Sequence, residues 1–308
     1  MTTQRAVLYD RTGGPEVLRL AEAPVPEPGA GEVVVDVRAV GLNPYDSKAR
    51  AGLVPLDTPF PRSLGGDFAG VVRAVGAGAR CWDGTALVPG DAVLGWGAGT
   101  LREHLEVPAA HVTRKPDGVP FEVAGSLSTP GQTANAAMGV LDPGRDDVVL
   151  VSAAAGAVGF VYCQLAIAAG AAVVGTAGPA NHARLRDIGV IPVEYGPGLV
   201  DRVREVAPAG ITAVQDNFGR EAVDAGLALG VAPDRICAIA DRAAVAELGL
   251  RSPGRYERRA DVLDRLARMV ADGSLVLPVQ QVFPLDRVGE AFALLDTRHL
   301  HGKVVVAP

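Results

Sequence analysis

Cysteine is scarce in this chain: Cys81, Cys163 and Cys237 are the only three among 308 residues. They lie far apart and are odd in number. That usage fits a reducing compartment, here the cytoplasm, and argues against the clustered ligands of a structural Cys-rich zinc site. Long apolar runs are missing as well. None reaches the roughly 18 residues that a membrane span needs, and the N-terminus lacks the apolar stretch of a secretory signal. Basic blocks are absent too. The longest basic run is Arg258-Arg259 and the net charge is −6, which leaves nucleic acid no electrostatic footprint.

What is present is the composition of a soluble globular protein, 48% hydrophobic and 21% charged, in a length that suits about two domains. Residues 1 to 120 read as β-rich. Strands are expected at 5–9, 17–20 and 32–41, separated by a turn at 12–15 and a proline-rich loop at 24–31. Asn43-Pro44-Tyr45-Asp46 leads into a short helix. A glycine-rich turn at 65–70 precedes a strand at 71–75, with more strand at 101–107 and 111–114. From Phe121 the texture becomes helical, at 121–127 and 133–141, split near Thr129-Pro130-Gly131. Strands then alternate with helices as far as Ile239, which predicts a parallel, doubly wound sheet. An amphipathic helix at 257–271 is followed by a β-type tail at 279–283 and 302–306, expected to rejoin the first domain. The domains therefore read as 1–120 with 272–308, and 121–271 inserted between them.

The organising stretch is 147–178. Its first apolar run, Val148 to Val151, fits a buried parallel strand. A small-residue turn follows. A helical pattern then puts Val158, Val161, Tyr162, Leu165, Ala166 and Ala169 on one face and ends at Gly170. Val173 and Val174 start a second strand. Such a βαβ unit directs backbone N–H groups and a helix N-terminus at a pyrophosphate. The three fingerprint positions are Ala154, Gly156 and Gly159. The other reading of these residues is a turn that only lets helix and strand pack closely.

Further landmarks stand in order along the chain: 41–46, 65–70, Gly90-Asp91-Ala92-Val93, Thr133-Ala134, 152–159, Asn181, Tyr195, Asp216 with Gly219, and His301-Gly302-Lys303-Val304-Val305. With them the sequence resembles the zinc-independent, quinone-oxidoreductase-like branch of the medium-chain dehydrogenase/reductase superfamily over essentially its whole length. The resemblance implies an α/β protein with a GroES-like β-barrel domain, a Rossmann domain with a doubly wound parallel sheet, and a cleft between them. It implies hydride transfer from NADPH to a quinone or other α,β-unsaturated carbonyl, in a homodimer. Zinc-dependent relatives carry Cys where Asn43 stands and His where Gly66 stands, and a four-Cys lobe; 95–107 holds no Cys. No metal is therefore implied.

The resemblance places the amide of Asn43 near the nicotinamide or the substrate carbonyl, so Asn43 is both a catalytic and a cofactor-binding candidate. The Asn-Pro pair also reads as a plain helix initiator. Tyr45 is the second catalytic candidate, a phenol suited to protonate a developing enolate. Asp46 is expected to cap the helix and Asp67 to hold the glycine-rich turn. Strand-end geometry directs Ser152, Ala154, Ala155, Gly156, Ala157, Val158, Gly159, Thr176, Ala177, Gly178, Asn217 and Phe218 to the cofactor. The resemblance adds Thr133, as a contact of the nicotinamide carboxamide, and Lys303, as a residue reaching the cofactor or an interdomain carboxylate. The second strand ends in Thr176-Ala177-Gly178 with no acid roughly 20 residues past the glycines, which favours NADPH over NADH. Thr176, Asn181, His182, Arg184 and Tyr195 are the available donors there, Arg184 having the alternative of pointing away on its helix. Ala153 and Ala157 depart from glycines common in the family. Two other readings stay open. One is an enoyl-thioester reductase or tailoring reductase of secondary metabolism, with Lys48, Arg50, Arg62 and Arg255 at the cleft mouth. The other is a non-catalytic NADPH-binding protein.

Overall fold

The computed structural model describes residues 2–298 and 300–308. In chain order its elements begin with β1 (Thr3–Leu8), β2 (Arg19–Pro24), β3 (Glu32–Gly41), α1 (Pro44–Arg50), β4 (Asp67–Val75), β5 (Ala92–Trp96), β6 (His104–Pro108) and β7 (Val112–Arg114). There follow α2 (Phe121–Ala124), α3 (Ser128–Leu141), β8 (Val148–Val151), α4 (Ala157–Ala168), β9 (Ala172–Thr176), α5 (His182–Asp187), β10 (Ile191–Val193) and α6 (Leu199–Val206). The chain ends with β11 (Ala213–Asp216), α7 (Arg220–Ala228), β12 (Ile236–Ala238), α8 (Arg242–Leu248), α9 (Ala260–Ala271), β13 (Val279–Pro284), α10 (Val288–Asp296) and β14 (Lys303–Ala307). These elements form two compact units, Met1–Thr129 with Arg259–Pro308, and Pro130–Arg258.

Unit 1 is built on a seven-stranded sheet in the order β13-β14-β3-β4-β5-β7, with β6 also paired to β3. On β3, Val33, Val35 and Val37 alternate into the core, where they meet Phe68, Val72, Leu105 and Val107. The helix α10 closes the same core with Val288, Ala291, Phe292 and Leu295, the i, i+3, i+4, i+7 spacing of one buried stripe. The tail does rejoin the β-rich part: β14 runs antiparallel to β3 and parallel to β13. The unit bounds differ from those read off the sequence. The helix α9 groups with unit 1, where Thr113 on β7 donates to Asp264 of α9 at 2.9 Å.

Unit 2 carries a five-stranded parallel sheet in the order β10-β9-β8-β11-β12. Val149, Leu150 and Val151 are fully buried, as a central parallel strand requires. The helix after them is less amphipathic than its pattern predicts. Every residue of α4 from Gly159 to Ala166 is buried, so it has no polar face and is an interior helix. Two further differences are local. The helix α3 starts at Ser128 and runs through Pro130, because a proline in the first turn removes no intrahelical bond. The helix α8 follows β12 without having been expected, capped by Asp241, which accepts from the Ala244 N–H at 2.9 Å. All three cysteines are free and buried. Among the described residues no helix is long and apolar enough to cross a membrane.

Candidate functional site

The turn between β8 and α4 has the geometry of an anion site. Gly156 is the N-cap of α4 and no side chain caps the helix, which leaves first-turn N–H groups for a ligand. The turn is tied to β9 by two bonds: the Ala154 N–H donates to Thr176 O at 3.0 Å and the Ala153 N–H to Thr176 Oγ1 at 3.2 Å. Ala153 adopts φ +46°, in the left-handed region that a glycine would fill at no steric cost. A Cβ on Gly159 would collide with the Ala153 carbonyl, so this glycine is needed for α4 to start where it does.

The neighbouring strand ends are locked together. Ser152 Oγ donates to Asp216 Oδ1 (2.8 Å) and accepts from the Asn217 N–H (2.7 Å), while Asn217 Nδ2 donates to Ser152 O (2.9 Å). Asp216 Oδ1 also takes the N–H groups of Phe218 and Gly219, at 3.0 and 2.8 Å. Burial pushes the Asp216 carboxyl pKa up, against the pull of these donors. Ser152 and the amide of Asn217 are thus fastened to protein partners. Phe218, 67% exposed, and Tyr195, 50% exposed, are the open side chains at this end of the sheet.

The β9 end brings together Thr176, Ala177, Gly178, Asn181 and His182. His182 Nε2 lies 3.0 Å from Ala177 O, and Tyr195 OH lies 3.9 Å from where a Gly178 Cβ would be. Arg184 does not point away. Its Nη2 donates to Ala155 O in the phosphate turn (3.1 Å) and to Asn181 Oδ1 (3.3 Å). It was among the donors available in the sequence, and its three-residue spacing from Asn181 fits the contact between the two side chains. Also in unit 2, the Thr133 hydroxyl is 2.5 Å from that of Tyr256, a partner 123 positions away that no local pattern announces.

In unit 1 the catalytic candidate Asn43 lies in a buried ionic cluster. Asn43 Oδ1 accepts from Lys303 Nζ at 2.6 Å, and its Nδ2 donates to Asp67 Oδ2 (3.0 Å) and Gly41 O (3.2 Å). Both amide hydrogens are therefore engaged within the protein. Lys303, expected to reach the cofactor or an interdomain carboxylate, sends its buried ammonium to Asn43 and to Leu42 O at 2.6 Å. Burial lowers its pKa, opposed by Asp67 and Asp46. Asp46 caps α1 as expected, accepting from the Asn43 N–H at 2.8 Å, and also takes the Gly65 N–H at 3.2 Å. Burial dominates its carboxyl and raises the pKa to about 6. Asp67, expected to hold the glycine-rich turn, is tied to the start of α3. Its Oδ1 accepts from the Thr129 N–H (3.0 Å) and hydroxyl (2.6 Å). Tyr45, one residue along α1 from Pro44, is 54% exposed.

Residues 29–117 match the alcohol dehydrogenase GroES-like domain and residues 193–306 the zinc-binding dehydrogenase family. The quinone oxidoreductase of Pseudomonas aeruginosa is 30% identical over 99% of each chain. This chain belongs to the quinone-oxidoreductase-like medium-chain dehydrogenases/reductases. Also similar is the human synaptic vesicle membrane protein VAT-1 homolog, 30% identical over 99% of this chain and 86% of that one. The chloroplastic NADPH-dependent alkenal/one oxidoreductase of Arabidopsis thaliana is 29% identical over 99% and 79%. Among solved structures, the quinone oxidoreductase from Coxiella burnetii has a TM-score of 0.88 at 27% identity, covering all of both chains. A mycobacterial protein complexed with NADPH has a TM-score of 0.86 at 29% identity, covering 99% of this chain and all of that one.

The second family description raises the question of zinc, and the side chains do not suit it. Among the described residues no group of three or more His, Cys, Asp or Glu is placed to hold a metal ion. The Asn43 position offers an amide oxygen already bonded to an ammonium, which repels a cation. The β8–α4 turn, by contrast, fits a dinucleotide: its helix end is uncapped, and Gly156 and Gly159 let backbone approach closely.

Proposed function

We propose that this protein is an NADPH-dependent oxidoreductase that transfers hydride to a quinone or α,β-unsaturated carbonyl without zinc. The observation that carries the reading is the uncapped β8–α4 turn beside a β9 end that bears no acid. An acid there would bond ribose hydroxyls and repel a 2′-phosphate. The names of the relatives support the acceptor class, and the NADPH complex of the mycobacterial neighbour supports the cofactor.

When bound, the nicotinamide supplies hydride. The chain's part is to hold and orient. Backbone at Ala154, Ala155, Gly156, Ala157, Val158 and Gly159 is assigned to the pyrophosphate. Thr176, Ala177, Gly178, Asn181, His182 and Tyr195 are assigned to the adenosine ribose, with Asn217 and Phe218 at the rim. Ser152 fixes the strand ends. Thr133, with Tyr256 behind it, is assigned to the carboxamide. The exposed phenol of Tyr45 is assigned to protonate the enolate oxygen that hydride addition creates. Asn43, its amide committed to Lys303 and Asp67, acts as a positioning residue that fixes the start of α1 and so Tyr45. A cytoplasmic homodimer is part of the proposal.

The thioester alternative loses two of its basic residues. Arg50 is buried against Asp296 (2.7 Å), and Arg62 is spent on Thr58 O and Leu56 O. The test is NADPH oxidation with a panel of quinones, 2-alkenals and enoyl-CoA esters. Turnover of free quinones or enones above the thioesters is expected. NADPH binding with no turnover of any panel member would sink the catalytic reading.

A further inference from the structure

The loop that follows β10 is organised around one guanidinium. Arg202, on α6, turns back along the chain and donates to four consecutive carbonyls. Its Nε reaches Glu194 O at 2.9 Å and its Nη1 reaches Pro197 O at 2.8 Å. Its Nη2 reaches Tyr195 O at 3.2 Å and Gly196 O at 3.0 Å. Gly196 and Gly198 adopt φ +91° and +82°, which lets so short a loop curl round the side chain. Four carbonyl dipoles whose oxygens converge repel one another, so the arrangement depends on the cation at its centre. The planar fork of arginine spans them as a compact ammonium cannot. The loop is also held from its other side. The Gly196 N–H donates to Glu221 Oε1 at 2.6 Å, in the first turn of α7.

What the loop presents is Tyr195. Just before it, Val193 O still accepts from the Ala177 N–H at 3.0 Å, so one end of the loop is fixed to the sheet and the other to α6. Between them, Arg202 takes the carbonyl of Tyr195 and Glu221 takes the next N–H. The Tyr195 ring is half exposed and has little packing of its own, so its place is set by the backbone that carries it. That place is toward Gly178, past the end of β9.

We infer that Arg202 is a positioning residue for the cofactor: by gathering four consecutive carbonyls it holds the 194–197 loop in the conformation that presents Tyr195 to the nucleotide. The inference rests on the reading above, which assigns Tyr195 to the adenosine ribose, and names the residue on which that assignment depends. Arg202 itself touches no ligand, since its donors are spent on backbone. Its whole effect on binding therefore passes through Tyr195. The loop is ordered before the nucleotide arrives, so binding does not bear the cost of ordering it.

The test is a double-mutant cycle read by NADPH fluorescence titration of the full-length protein, with wild type, Y195A, R202M and the double variant. Circular dichroism checks that each is folded, and R202K replaces R202M in the cycle if the methionine variant is not. Y195A and R202M are each expected to lose about 10-fold in NADPH affinity, the scale of one hydrogen bond. The double variant is expected to stay within about threefold of Y195A, because Arg202 has nothing left to position. R202K is expected to recover part of the R202M loss, since its ammonium still draws the carbonyls together. Turnover at saturating NADPH is expected to stay within about twofold in R202M, because the reacting end of the cofactor is untouched. A double variant about 100-fold weaker than wild type, the product of the two losses, would show that Arg202 acts by another route and overturns the inference. R202M that binds like wild type, or Y195A that binds like wild type while R202M does not, overturns it too and leaves the proposed function standing. Wild type that does not bind NADPH overturns both.

Discussion

The carbonyl oxygen of Ala153 stands where a Cβ on Gly159 would have to go. The two residues set each other's geometry. Ala153 accepts φ +46° to form the turn, and its carbonyl is then pinned by the Gly156 N–H at 2.9 Å. Gly159→Ala must push that carbonyl aside. A loss of about 1–3 kcal/mol is expected from overpacking, together with loss of nucleotide binding. Urea unfolding and NADPH fluorescence titration measure the two effects separately. Retained affinity in G159A would contradict the role given to the turn.

Ala153→Gly tests the same strain from the other side. Releasing an alanine from the left-handed region gains roughly 1–2 kcal/mol, and the added chain entropy of glycine returns roughly 0.5–1. A net gain of about 0–1.5 kcal/mol is expected. A clear drop in unfolding free energy would mean that Ala153 is not strained.

Lys303→Met should be far more damaging than a surface lysine change. It leaves Asn43 Oδ1 and Leu42 O without their donor and leaves two buried carboxylates uncompensated. A loss of about 3–5 kcal/mol is expected in denaturant unfolding. A loss under about 1 kcal/mol would rule out the buried cluster as drawn.

Asp46 gives the cluster a pH signature. Its folded pKa, about 6, lies above the 3.8 of an ordinary aspartic acid, so the fold favours the protonated acid. Its favourable contribution is complete below about pH 4 and is lost as pH rises through about 6. The advantage of wild type over Asp46→Asn should therefore shrink between those pH values. Melting of both proteins across that range checks it, and an advantage that grows with pH would reverse the sign.

Tyr45→Phe should lower kcat for an enone by about 100-fold or more if the phenol is the proton donor, with KM little changed. Because Tyr45 is half exposed, stability should stay within about 0.5 kcal/mol. An unchanged kcat would remove Tyr45 from the mechanism.

How much of this was legible in the sequence depended on the range of the interaction. The β8–α4 turn announced itself because four apolar residues, a run of small ones and Gly159 are adjacent in the chain. The tail's return was also readable, since 279–283 and 302–306 carry strand composition. Asn43 was recognised as a position but its surroundings were not: Lys303 lies 260 residues away, and no periodicity connects them. The direction of Arg184 stayed open because α5 is only six residues long, too short for its phase to be read from an apolar stripe. The buried nature of α4 was likewise hidden, since its polar-looking Tyr162 and Gln164 are packed inside with the rest.

The three buried cysteines have a chemical consequence. Quinones and enones alkylate thiolates, so a protein proposed to process them is exposed to attack by its own substrates. Here Cys81, Cys163 and Cys237 are all out of solvent, and burial raises every thiol pKa, that of Cys237 to about 12. The nucleophilic form is suppressed and hidden together. The folded protein should therefore tolerate a large excess of electrophile, and mass spectrometry should find adducts only after it unfolds.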